Sequence, residues 1–248
     1  MTPMQTVAPI GTLRSCFPDK FGVPRQPGLC PHARGQIVLA PPWNTPDAFR
    51  GLDGFSHIWI TFLFDRVDPE TGPRVLIRPP RLGGNRRVGV FASRSPFRPN
   101  RIGLSVVRQQ GLIHASDSLS LAVSELDLVD GTPVLDIKPY LPWCDSPADA
   151  TANWAGTAPT LLRVEYASQA VRQIHGFSRQ RPDLEPLINE VLAQDPRPAY
   201  LVTQASDRRY SLGLYDLDVH WRVAENTCLV ESVTPRELSN CLVGESPL

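Results

Sequence analysis

The first 160 residues contain no stretch in which apolar side chains recur at helical spacing over three turns. For two-thirds of the chain that excludes the strand–helix alternation of a doubly wound sheet. Short runs rich in Val, Ile, Leu and Phe take its place, at residues 6–14, 36–40, 57–64, 88–92, 102–110, 119–126 and 133–137, separated by Gly, Pro, Asn and Asp clusters. Strands that succeed one another without helices bury their apolar faces as a barrel or a sandwich.

Residues 147–159 are small, polar and bounded by prolines, and predict a connection between two domains. Beyond them, residues 168–179 and 182–193 carry apolar side chains at helical spacing (Ala170, Val171, Ile174 and Phe177, then Leu184, Leu187, Ile188, Val191 and Leu192). Asp195-Pro196-Arg197-Pro198 stops the second helix. Residues 211–217, 219–223 and 228–233 predict an antiparallel meander. The expected organisation is a mainly β N-terminal domain over 1–150, a smaller α+β C-terminal domain over 160–235, and a tail over 236–248.

The 248 residues are 42% hydrophobic, enough for a full core, and the formal net charge is zero. The charge is unevenly spread, with fifteen basic and six acidic residues in 1–108 but one basic and seven acidic in 109–160. Lys20 and Lys138 are the only lysines, so the basic charge is almost all arginine, whose planar fork matches phosphate and carboxylate. Five scattered cysteines without a Cys-x-x-Cys predict reduced thiols, neither a disulfide framework nor a metal site. The longest apolar segment, 58–64, is far too short to cross a bilayer, and the N-terminus lacks a charged-then-apolar leader. A cytoplasmic protein without membrane contact is expected.

Residues 78–103 read RPPRLGGNRRVGVFASRSPFRPNRIG, with seven arginines, four prolines, four glycines and no acid. Arginine forks on a stiff loop suit a phosphate or carboxylate ligand; pairing with the acids of 117–149 is the structural alternative. A second stiff loop, Val23-Pro24-Arg25-Gln26-Pro27-Gly28-Leu29, offers backbone groups to a base or ribose, or is an ordinary turn. His57 opens a buried strand and reads as a core histidine. Asp127, Asp136 and Lys138 lie near strand ends, where ligand sites form, while Asp130-Gly131 is a turn. Asp195-Pro196-Arg197-Pro198-Ala199-Tyr200 is a rigid loop bearing Arg197 and Tyr200. No Gly-x-Gly-x-x-Gly, Walker A loop, His-Glu-x-x-His or Gly-x-Ser-x-Gly is present, which disfavours dinucleotide folds, P-loop ATPases, zincins and α/β-hydrolases.

Six segments taken together, VPRQPGL (23–29), GFSHIWI (54–60), RPPRLGG (78–84), GVFASRSPFRPNRIG (89–103), LDLVDGTPVLDIKPYLP (126–142) and VLAQDPRPAY (191–200), closely resemble the TsaA-like, or TrmO, family of tRNA N6-threonylcarbamoyladenosine methyltransferases. The resemblance implies a TsaA-like, non-Rossmann β-barrel followed by a small C-terminal domain that helps hold tRNA. It also implies S-adenosylmethionine as cofactor, methyl transfer to N6 of threonylcarbamoyladenosine beside the anticodon of threonine tRNAs, and a homodimer. Carried over by position, it implies cofactor contacts from Gln26, Pro27, Gly28, Phe64, Asp65, Arg94, Leu104, Leu126, Asp127, Leu128 and Val129. At Phe64-Asp65 the chain departs from relatives that end this strand with histidine. Asp195 and Asp127 are the candidate bases for the N6 proton. Arg98 or Arg197 is expected to meet the threonyl carboxylate, and Phe97 or Tyr200 to stack on a splayed base. Arg86, Arg87, Arg101 and Lys138 complete the expected contacts to the anticodon loop. The alternative is a non-enzymatic RNA-binding β-barrel that uses the same arginines for phosphates alone.

Overall fold

The structure is a computed structural model that describes residues 6–68, 70–82, 86–198 and 208–236. Among these the N-terminal part contains β1 (Gly11–Ser15), β2 (Arg34–Leu39), β3 (His57–Leu63), β4 (Leu76–Ile77), β5 (Val88–Gly89), β6 (Ile102–Ala115), β7 (Ser118–Ser124) and β8 (Pro133–Pro139). Six of them join in the order β1-β2-β7-β6-β3-β8. β8 returns to β1 through Gly11↔Val134 and Thr12↔Pro133, which closes the sheet on itself. β4 and β5 pair apart from it as a short arm, Leu76 opposite Gly89.

Side chains alternate across each strand, and one face of every long strand fills the interior. Leu13, Ile37, Leu39, Ile58, Ile60, Phe62, Val107, Leu121, Val123 and Val134 are all buried. Gly103 stands opposite Phe62 on β6, and a Cβ there would lie 2.2 Å from the Phe62 ring. Glycine therefore lets the ring lie across the strand, and Phe64 meets that ring edge-on at 5.0 Å. This chain of contacts sets the direction of Phe64 at the end of β3.

Two strand lengths differ from the sequence expectation. β6 continues to Ala115, because Gly111 (φ +95°) forms a bulge with a register slip between Gln109 and Gly111, and the strand resumes beyond it. The run at 88–92 yields only two strand residues. Val90–Ala92 turns into a 3-10 helix whose end is held by Ser93 Oγ donating to the Val90 carbonyl at 2.8 Å.

After a short helix α1 (Pro142–Asp145), the C-terminal part comprises β9 (Arg163–Tyr166), α2 (Ser168–Phe177), α3 (Leu184–Ala193), β10 (Arg209–Leu214), β11 (Leu217–Ala224) and β12 (Thr227–Pro235). The expected meander becomes a four-stranded sheet, β10-β11-β12-β9, because β9 adds to β12 in parallel. Helix α2 packs on β12 and α3 on β9. The apolar stripe of α3 (Leu184, Leu187, Ile188, Val191, Leu192) is buried and belongs to one core cluster with Phe17, Ile37, Leu212 and Trp221. Polar ties cross the same junction: Tyr215 N–H donates to the Cys16 carbonyl at 2.8 Å, His32 Nδ1 lies 2.5 Å from Glu190 Oε1, and Arg34 pairs with Asp183 at 3.0 Å. Cys16, Cys30 and Cys228 are buried here, and loss of solvation pushes each thiol up to about 12. Of the tail expected at 236–248, only Arg236 is described. No helix among the described residues is long and apolar enough to cross a membrane.

Candidate active site

Four segments converge beside the end of β3: the loop bearing Gln26–Gly28, the end of β3 with Phe64 and Asp65, the arginine-rich segment, and residues Leu126–Val129 that leave β7. The first is fastened at both ends. Gly28, whose φ of +77° a side chain would strain, donates its N–H to the Glu125 carbonyl at 3.1 Å. Glu125 also accepts from Arg108 Nε at 2.7 Å. Gln26 Oε1 accepts a hydrogen bond from Arg94 Nη1, which joins the loop to the arginine-rich segment.

Asp127 lies at the centre of this arrangement. The hydroxyl of Ser105, 1% exposed on the inward face of β6, donates to Asp127 Oδ1 at 2.5 Å. Burial raises the Asp127 carboxyl from its ordinary 3.8 to about 6, against the pull of the Ser105 hydrogen bond and the Arg94 charge. Leu126 and Leu128 anchor the segment in the core. The Leu128 carbonyl accepts from Ser15 Oγ at 2.8 Å and the Val129 carbonyl from Thr132 Oγ1 at 2.7 Å. The N–H groups of Leu128 and Val129 have no partner among the described residues. The result is a fixed backbone edge with free donors, next to a carboxylate that takes up a proton near pH 6.

Two concavities meet here, with Pro96 and Phe97 lining both. One, of about 500 Å³, is lined by Phe64, Asp65 and Asp127–Val129. The other, of about 860 Å³, is lined by Gln26, Arg94, Phe97 and Trp154 with Arg25, Arg74, Arg78 and Arg87, and no acid lines it. Volumes of this size suit a cofactor or a nucleotide.

The remaining candidates divide. Arg98 donates to the Ser93 carbonyl at 2.7 Å and Arg101 to the Val67, Asp68 and Thr71 carbonyls at 3.0–3.2 Å. Both brace loops through these bonds, and neither lines the two concavities. Arg86 is exposed and without an ion pair among the described residues, but it does not line either concavity. Lys138 is bonded to Asp136 at 2.7 Å on β8, again outside both. Leu104 is 54% exposed on β6 and lines neither, and Leu126 contributes only core packing through its side chain. Pro27 belongs to the fastened loop without lining either concavity.

Asp195 and Arg197 close on each other. Arg197 Nε and Nη2 donate to the two Asp195 carboxylate oxygens at 2.7 Å, with Arg197 only 7% exposed. The pairing occupies both carboxylate oxygens, and neither residue lines Asp127's cavity. Tyr200 lies outside the described residues. Sequence reasoning did not single out Ser105, Arg74 or Trp154, and it included Arg78 only as one of the arginine-rich stretch. Only Ser105 left a trace: a hydroxyl at an inward position between Gly103 and Val107, where the barrel pattern asks for an apolar residue.

Residues 12–146 match the family profile described as the tRNA-methyltransferase O N-terminal domain, and residues 159–236 match the TrmO C-terminal domain. The chain is 47% identical over 228 residues, 92% of it and 97% of the relative, to a "tRNA (adenine(37)-N6)-methyltransferase" of Escherichia coli. It is 51% identical over 217 residues, 87% of it and 91% of the relative, to a Pseudomonas aeruginosa protein named "Putative S-adenosylmethionine-dependent methyltransferase RcsF". A crystal structure of TrmO from Pseudomonas aeruginosa superposes with a TM-score of 0.78 at 41% identity, covering 94% of this chain and 100% of that one.

Proposed function

The chain belongs to the tRNA-methyltransferase O family, and from that premise we propose that it transfers a methyl group from S-adenosylmethionine to N6 of adenosine 37 in tRNA, with the threonylcarbamoylated adenosine of threonine tRNAs as substrate. The observation that carries this reading is Asp127: a carboxylate of raised pKa, beside a free backbone edge, next to an arginine-lined cavity without acids.

The residues present fit the cofactor. Free N–H groups at Leu128 and Val129 suit the acceptor edge of a purine, Phe64 an apolar ring face, and Asp65 a hydroxyl or ammonium group. When bound, the cofactor supplies an electrophilic methyl on a sulfonium. The protein aligns the two ligands and disposes of one proton. Asp127 accepts the N6 proton, a task worth about 10²–10⁴ in rate for a well-placed base. Ser105 holds its carboxylate in one orientation. Arg94, fixed by Gln26, keeps Asp127 from protonating too readily. The threonyl carboxylate is met by one of the larger cavity's arginines that have no partner among the described residues.

A cytoplasmic homodimer completes the reading. Val75 and Phe91, 83% and 77% exposed beside the β4–β5 arm, form an apolar surface that a second copy would cover. The decisive assay offers the protein tRNA with and without the threonylcarbamoyl group, with tritiated S-adenosylmethionine. Label is expected only in the modified tRNA, and equal labelling would overturn the substrate assignment. Arg94→Ala should weaken S-adenosylmethionine binding by calorimetry, since it frees the Gln26 loop.

A further inference from the structure

Trp154 has no role in the proposed chemistry, yet it lines the larger cavity. It sits on a 3-10 turn, Asn153–Ala155, within the connector that joins the two parts of the chain. The turn is held by Ala155 N–H to the Ala152 carbonyl at 2.8 Å and Gly156 N–H to the Asn153 carbonyl at 3.2 Å.

The other tryptophans are accounted for differently. Trp221 stacks on Tyr210 at 4.7 Å, and Trp59 packs against Tyr140 while its indole N–H donates to Asp145. Trp43 and Trp143 are exposed and do not line this cavity. Trp154 is half-buried, lines the cavity, and has no ring partner among the described residues. The second aromatic there, Phe97, already carries the Arg74 guanidinium 4.4 Å from its centroid. Of the arginines around them, Arg94 is bonded to Gln26. Arg25, Arg78 and Arg87 have neither hydrogen bond nor ion pair among the described residues. A half-buried indole on a cavity wall that no acid lines, beside arginines without partners among the described residues, matches an unpaired nucleotide: base on the ring, phosphate on the forks.

We propose that Trp154 is the stacking platform for one unpaired base of the RNA substrate, and that Arg78 and Arg87 hold the adjoining phosphates. The inference rests on the RNA-methyltransferase reading for the identity of its ligand. It moves the stacking role away from Phe97 and makes the connector part of the substrate site.

The test uses the full chain with Trp154→Ala, Trp154→Phe and Trp154→Leu, and Trp143→Ala as a surface control. Trp154→Ala should raise KM for threonylcarbamoylated tRNA roughly ten- to hundred-fold, the range of one lost base stack, with S-adenosylmethionine affinity unchanged. Trp154→Phe should restore most of the loss and Trp154→Leu should not. Independently, a short single-stranded RNA should quench tryptophan fluorescence in the wild type and far less in Trp154→Phe. An unchanged KM in Trp154→Ala, equal rescue by Leu and Phe, or equal quenching in both proteins would overturn the proposal. Should the wild type methylate nothing while Trp154-dependent quenching persists, the enzyme reading fails and the stacking site stands.

Discussion

At the scale of single residues, the site depends on small differences in what each side chain meets. Asp127 shows this best. Its carboxyl titrates near 6 in the folded protein and near 3.8 when exposed, so the folded state holds the proton more tightly. Stability should therefore fall as pH rises from about 4 to about 6 and stay lower above that. Asp127→Asn is expected to raise stability at pH 7.5 by up to about 3 kcal/mol, with no gain below about pH 4, measurable by calorimetry at the two pH values. The same variant should lose methyl transfer by about 10²–10⁴ and abolish the rise in rate through about pH 6. A site residue whose removal stabilises the fold is one held in an unfavourable state for use. Much of this was hidden in the sequence. Seven arginines in 26 residues announce an anion site, but nothing in the string separates Arg78 and Arg87, open to the cavity, from Arg98 and Arg101. What separates them is the carbonyls each one meets, a property of the folded loop. Nor does the string say that Asp195 and Arg197, two residues apart, bond to each other.

At the scale of elements, alternation was the readable signal. His57–Leu63 alternates buried and half-buried residues along its whole length, and a strand so patterned is visible without coordinates. β9 was not visible, because Arg163–Tyr166 alternates charge with half-buried residues and its parallel partner β12 lies more than sixty residues away in the chain. Gly111 misled in the other direction, read as the end of β6 when it is a bulge within it. Gly103 carries the sharpest expectation at this scale. Its missing Cβ makes room for the Phe62 ring, so Gly103→Ala should cost about 1–3 kcal/mol through overpacking. Because Phe62 in turn directs Phe64, that variant should also weaken S-adenosylmethionine binding, whereas Gly54→Ala, with open space around its Cβ, should change neither. Thermal melts and calorimetry on the two variants check both statements.

At the scale of the whole molecule, the two parts share one core. Leu187 on α3 is fully buried in the cluster that includes Phe17 and Ile37 of the N-terminal part. Leu187→Ala should cost about 2–5 kcal/mol, and both parts should unfold in one transition; two separated transitions in a calorimetric scan would contradict the shared core. The prolines and small residues of 147–159 predict a connection, but nothing in them tells that Trp154 lines a cavity. The buried cysteines have a consequence of their own. The thiolate is the form that attacks peroxide and disulfide reagents, and at neutral pH Cys16, Cys30 and Cys228 present essentially none. Mild peroxide treatment is therefore expected to spare these three thiols and to modify the exposed Cys144 first, which mass spectrometry of the treated protein would show.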